Sequence, residues 1–322
     1  MSTLLEIEDL RVDFSRDGRV TSRALRGVSL TVAAGEAVGV VGETGCGKTL
    51  TGLSVLRMLP ENATVSGRIA FEGKDMLELS TSELRSVRGK QISMVFQSPG
   101  TSFNPVFTVG YQIGLVAERH LGVSREAGQA LVAQTLHAVG LPNPESVMRF
   151  YPHELSGGML QRAMIAMAII CKPSLLIADE PTTALDVTIA QQILRLLRRL
   201  QREQGFGVFF ISHDLDLVSD FCDRIAVLYA GRVVEMGATA ELLRRPRHPY
   251  TRALLDALPG RAVPGAPLPT VPGAVPTALD DAPGCPFAPR CPMVVERCFE
   301  TRPELAEAGP NQAAACHRWE AL

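Results

Sequence analysis

Short, largely apolar runs alternate with helical spacing along most of the chain. Ala37–Val41, Gln91–Phe96, Ser174–Ala178, Gly207–Ile211 and Arg224–Tyr229 are continuous rather than alternating in hydrophobicity. Such runs mark strands buried on both faces, as in a parallel sheet. Between the third and fourth runs, Ile189, Ile193, Leu196, Leu197 and Leu200 keep helical spacing and Gly205 follows as a stop, so a strand-helix-strand crossover is expected there. Leu4–Phe14 and Arg23–Val32 alternate well enough to form strands of a separate antiparallel layer. From Phe103 to Pro152 the strand signal vanishes; Ser124 reads as an N-cap, with Val132, Leu136 and Val139 on one helix face. These patterns predict an α/β domain over residues 1–258, a parallel sheet core with an antiparallel β layer, and a helical subdomain at about 98–160.

After Leu258 the pattern stops. Prolines 259, 264, 267, 269, 272, 276 and 283 exclude helix and central strand, so 259–284 is expected to be an extended linker leading to a small cysteine-rich lobe at 285–322. With 46% hydrophobic residues and a net charge of -2, neither disorder nor a polybasic nucleic-acid coat is expected. No apolar stretch approaches the roughly 20 residues that cross a bilayer. The first ten residues carry Glu6, Glu8 and Asp9 and do not read as a secretory signal, so a cytosolic chain is expected. No internal repeat is visible.

Gly42-Glu43-Thr44-Gly45-Cys46-Gly47-Lys48-Thr49 follows a buried strand and opens a helical pattern, the context that a phosphate-binding loop requires. Its glycines let backbone N–H groups surround a phosphate at a helix N-terminus. Lys48 is aimed at the β and γ phosphates, and the Thr49 hydroxyl can ligate Mg²⁺. Thr51 joins the nucleotide-binding candidates, and the Cys46 side chain is expected to point outward. Asp179 and Glu180 sit at the exit of the strand Ser174–Ala178, where open α/β sheets bind ligands. Asp179 is assigned to Mg²⁺, and Glu180 to accepting a proton from the attacking water. Leu155-Ser156-Gly157-Gly158-Met159-Leu160-Gln161-Arg162 opens another helical segment, whose N-terminus is a second place for phosphate.

Together with Gln97 at the end of the second run, Ala184-Leu185-Asp186 after Glu180, and His213 after the fourth run, the chain resembles the ATP-binding-cassette (ABC) ATPases. The resemblance implies a P-loop (RecA-like) fold, ATP and Mg²⁺. Gln97 would contact Mg²⁺ and the nucleophilic water, and His213 the γ-phosphate. Asp186 would sit at a dimer junction, Ser156, Gly157 and Gly158 would meet the partner's nucleotide, and Phe14 would stack on adenine. One position departs from the family: its usual glutamine is Met159, which lacks the amide that would meet the partner nucleotide's ribose. Gln97–Pro105, Ile177–Thr188 and His248–Leu255 resemble the dipeptide/oligopeptide importer ATPases, in particular the first of their two paired ATPases. That resemblance implies a paralogous ATPase subunit, two permeases and an extracytoplasmic solute-binding protein as partners. It also implies a peripheral position on the cytoplasmic face of the inner membrane and no nucleic acid. Importers of nickel complexes or glycosides, and a soluble ABC ATPase of translation or DNA repair, are the alternatives. A P-loop kinase or GTPase would leave the Ser156 segment and His213 without a role.

Cys285, Cys291, Cys298 and Cys316 follow the spacing C-x5-C-x6-C-x17-C. Without tight C-x2-C knuckles, and with the importer tails as a parallel, this predicts one [4Fe-4S] cluster, with zinc as the alternative. His317 is a substitute ligand, and Arg290, Arg297 and Arg302 are expected to offset the cluster's charge. A redox-sensing tail and four packed thiols are the competing readings.

Overall fold

The computed structural model describes residues 2–183, 185–258, 260, 270–276 and 282–322. Most of the expected proline-rich linker, and Ala184, lie outside the described residues. The chain divides into two compact units. One comprises Met1–Leu4, Ala33–Glu36 and Glu78–Phe209; the other comprises Leu5–Val32, Ala37–Leu77 and Phe210–Leu322.

In the first unit the buried strands Ile92–Val95 and Leu175–Asp179 pair in parallel, Ile92 opposite Leu175 and Val95 opposite Ala178. Both strands are buried throughout, which is why the sequence shows no alternation. From Pro99 to Ile169 the elements are helical. Val109–Leu121 starts at Thr108, Arg125–Ala138 at Ser124 and Gly157–Ile169 at Ser156, each cap hydroxyl accepting a backbone N–H of the first turn. Helix Val187–Gln204 buries Ile193, Leu196, Leu197 and Leu200 and ends at Gly205 in the left-handed conformation, as the apolar period and the glycine stop require.

In the second unit a four-stranded sheet joins Thr3–Arg16 and Arg19–Ala33 to Ala63–Phe71 and Lys74–Asp75. Thr3–Arg16 runs antiparallel to Ala63–Phe71, with a register shift between Glu8 and Arg11. Ala37–Val41 pairs in parallel with Arg224–Tyr229, which in turn pairs antiparallel with Arg232–Ala238.

The last segment corrects the expectation of a separate cysteine-rich lobe. Gln312–Ala314 pairs antiparallel with Arg232–Ala238 and with Ala306–Gly309, so the C-terminal residues extend the body's sheet. The joint is polar and buried: the Gln312 amide donates to Glu235 Oε1 at 2.7 Å and to the Arg245 carbonyl at 2.9 Å. A short tail that borrows a sheet edge needs no core of its own. Among the described residues no helix is long and apolar enough to cross a membrane.

Candidate functional site

The phosphate-loop candidate leaves the fully buried strand Ala37–Val41 and enters helix Lys48–Val55. Two glycines are required by space. A Cβ on Gly42 would lie 2.2 Å from the Leu228 carbonyl oxygen, and one on Gly47, at φ +107°, would lie 2.4 Å from Leu25. No side chain caps the start of this helix, so its first N–H groups and positive end suit an anion. The loop therefore fits a phosphate. The Lys48 ammonium is buried and donates to the Gly42 and Glu43 carbonyls at 2.7 and 3.0 Å, which tucks the cation under the loop. Thr49 is exposed beside it, whereas the buried Thr51 hydroxyl donates to the Gly47 carbonyl at 3.0 Å and is spent on the helix.

Cys46 corrects the expectation of an outward side chain. It is fully buried, with Sγ 4.0 Å from Lys48 Nζ, and burial pushes its thiol up in spite of the neighbouring ammonium. Thr44 and Gly45 are exposed. Phe14 is half-buried on Thr3–Arg16, opposite Ala63, and His213 is exposed just beyond strand Gly207–Ser212.

In the first unit the structure brings Gln97 and Glu180 together: Gln97 Nε2 donates to Glu180 Oε2 at 3.1 Å, and the Thr183 hydroxyl donates to the same oxygen at 2.8 Å. Glu180 holds a left-handed backbone, φ 45°, a conformation that costs a non-glycine residue about 1–3 kcal/mol and that concentrates at working sites. Asp179 is buried at the end of its strand. Ser156 accepts the Met159 N–H at 3.4 Å, and Ser156 and Gly157 are exposed at the helix start. A Cβ on Gly158 would press on Ile189 at 3.0 Å, so the glycine also sets how closely two helices pack. Asp186 is exposed and caps Val187–Gln204 by accepting the Ile189 N–H at 2.9 Å. Sequence reasoning missed Gln161, a buried amide that donates to the Pro181 carbonyl at 2.6 Å and so ties the Ser156 helix to the loop after Glu180. Its sequence signal is only a glutamine on a helix.

The cysteine assignment is overturned. All seven cysteines are free thiols, and among the described residues no group of His, Cys, Asp and Glu can hold a metal ion. Cys285, Cys291, Cys298 and Cys316 do line one cavity, but its volume is about 20 Å³, room for one water and not for four irons with four sulfides. Phe287 lines the cavity and is buried against Tyr229, Tyr250 and His248, with ring centroids 5.3, 5.4 and 5.8 Å away. Burial pushes the Cys285 thiol up to about 11 and raises Cys291 and Cys316. Arg290, expected to offset a cluster's charge, pairs with Glu43 instead, at 3.1 Å.

The same region contains a second feature that sequence reasoning missed. Glu235 is fully buried and accepts the N–H groups of Arg247 and His248 at 2.7 and 2.9 Å. His248 accepts the Tyr250 N–H on Nδ1 at 3.1 Å, so its proton sits on Nε2. Burial lowers its pKa from 6.5 to about 3. The folded state keeps His248 neutral while the unfolded chain takes up a proton below 6.5. Stability is therefore lost as pH falls from 6.5 toward 3, by about 1.4 kcal/mol per unit. Glu235 opposes this, because burial raises its carboxyl and so favours the folded state as the pH falls. His248→Asn keeps a cap acceptor without the titration, and should shift the midpoint of acid unfolding, followed by circular dichroism, to lower pH. An unchanged midpoint would remove His248 as the acid-labile group.

Comparison with known proteins agrees with this geometry. Residues 25–183 match the ABC transporter family model, and residues 234–298 match the model of the oligopeptide/dipeptide transporter C-terminal region. The probable peptide ABC transporter ATP-binding protein y4tR of Sinorhizobium fredii is 49% identical over 98% of this chain and 95% of its own length. The dipeptide transport ATP-binding protein DppD of Bacillus subtilis is 45% identical over 98% of this chain and 95% of its own. Among solved structures, the dimeric post-hydrolysis state of the ATP-binding cassette MJ0796 bound to ADP and Pi superposes with a TM-score of 0.65 at 26% identity, covering 73% of this chain and 99% of that one. The chain belongs to the ATP-binding subunits of the oligopeptide/dipeptide ABC transporters.

Proposed function

We propose that this chain hydrolyses Mg-ATP to energise the import of dipeptides or oligopeptides through separate permease subunits. The observation that carries the reading is the near full-length match to peptide-transport ATP-binding proteins in a chain whose loop 42–49 fits a phosphate. In this reading the loop N–H groups and Lys48 hold the β and γ phosphates of ATP. Thr49, Gln97 and Asp179 hold Mg²⁺, which when bound draws charge from the phosphate oxygens. Glu180 takes the proton of the attacking water, and its carboxylate is oriented for that task by the Gln97 amide and the Thr183 hydroxyl. His213 meets the γ-phosphate, and Phe14 stacks on the adenine.

The chain has one phosphate loop and one Ser156 segment. If each nucleotide is clamped by the loop of one subunit and the Ser156 segment of another, the chain works as one of a pair. The partner is a paralogous ATPase, and the pair sits beneath two permeases on the cytoplasmic face of the inner membrane, served by an extracytoplasmic solute-binding protein. Affinity purification of the full chain from native membranes tests the assembly: the expected complex contains two permeases and one second ATPase. A complex holding only two copies of this chain would refute the heterodimer.

A further inference from the structure

Glu43 is the one acidic residue of the phosphate loop, and an unopposed carboxylate there would repel a triphosphate. Arg290, 247 positions along the chain, meets it with two parallel bonds: Nη1 donates to Oε1 at 3.1 Å and Nη2 to Oε2 at 3.2 Å. The other guanidinium N–H groups are also committed. Nη1 donates to Tyr229 Oη at 3.2 Å, Nε to the Pro272 carbonyl at 2.8 Å and Nη2 to the Val271 carbonyl at 3.2 Å, so all five donors have acceptors. Arg290 is buried, 8% exposed, against the rings of Tyr229 and Phe287. Glu43 is held by its backbone as well, its N–H donating to Tyr250 Oη at 2.9 Å. On the other side its carbonyl accepts from Lys48.

Three attachments therefore converge on one loop residue, two of them from the C-terminal part of the chain. A buried ion pair is weak evidence for stability, since desolvation offsets the attraction. A bidentate, fully bonded guanidinium instead fixes geometry. From this we infer that Arg290 and Tyr250 are positioning residues for the phosphate loop. They cancel the charge of Glu43 and preset the loop N–H groups, which lowers the ordering cost of nucleotide binding. The inference rests on the reading of 42–49 as the loop that holds the nucleotide's phosphates.

The test uses the full-length chain and three readouts: amide hydrogen exchange across 42–49 without nucleotide, affinity for Mg-ATP by titration, and thermal unfolding. Arg290→Met should speed exchange of the loop amides and weaken Mg-ATP binding about tenfold through loop misplacement. Tyr250→Phe should speed exchange at Glu43 in particular. The double variant Glu43→Gln with Arg290→Met leaves neither charge buried alone, so it should regain thermal stability. Its loop amides should nevertheless exchange fast and its nucleotide affinity should stay low. If affinity and exchange recover together with stability, or if Arg290→Met matches the wild type in both, the inference is overturned. Lys48→Ala separates the two levels: if it binds Mg-ATP as the wild type does, the phosphate-loop reading has failed, while the exchange data still decide whether Arg290 holds the loop.

Discussion

Glu180→Gln should yield a chain that binds Mg-ATP with near wild-type affinity yet turns it over about 10² to 10⁴ times more slowly, the contribution of a positioned general base. The amide has the shape of the carboxylate but cannot take up a proton at neutral pH. The Thr183 hydroxyl, which donates to Glu180 Oε2, can still donate to the amide oxygen, so the loop should keep its form. Single-turnover hydrolysis beside a binding titration checks both halves. Turnover within a few fold of the wild type would remove Glu180 from the chemistry.

Lys48→Ala should act on binding. The ammonium is buried and bonded to the Gly42 and Glu43 carbonyls, so alanine removes the phosphate's cation and leaves two loop acceptors without their donor. Hydrogen bonds to a charged group contribute about 1.5–3 kcal/mol each, so losing the bond from the remaining ammonium N–H to a phosphate oxygen weakens Mg-ATP binding about tenfold to a hundredfold. Titration with a fluorescent ATP analogue gives the number. Affinity within threefold of the wild type would mean that the phosphates are held elsewhere.

What could be read from the chain depended on whether the signal was local. Ala37–Val41 and Arg224–Tyr229 were visible to the residue because burial of nearly every position makes a strand continuously apolar. Ala63–Phe71 was not visible. Its first six residues are partly or fully exposed, and Gly67, at φ +97°, interrupts the run where a Cβ would lie 2.5 Å from the Asp9 carbonyl oxygen, a tertiary requirement opposite the register shift of the partner strand.

The same division runs through the candidate site. The phosphate loop is eight consecutive residues, and the Asp179-Glu180 pair lies next to its strand, so spacing alone finds them. The Arg290 clamp joins positions 247 apart, and neither residue is marked by its neighbours. The cysteines show the converse. Their spacing is local and does bring them to one cavity, but whether that cavity has room depends on Phe287 and on the aromatic rings packed around it. The tail is anchored on the sheet edge of Arg232–Ala238, a pairing that cysteine spacing does not show.

The central claim, that this chain couples ATP hydrolysis to peptide import, is tested most directly by transport itself. The complex purified through this chain is placed in vesicles with its solute-binding protein and labelled dipeptides or oligopeptides on one side and ATP on the other. Peptide should cross only when ATP is present on the side that bears this chain, and transport should stop when the chain carries Glu180→Gln. A complex that hydrolyses ATP at full rate while moving no peptide, or one whose peptide uptake is undiminished by Glu180→Gln, would contradict the account.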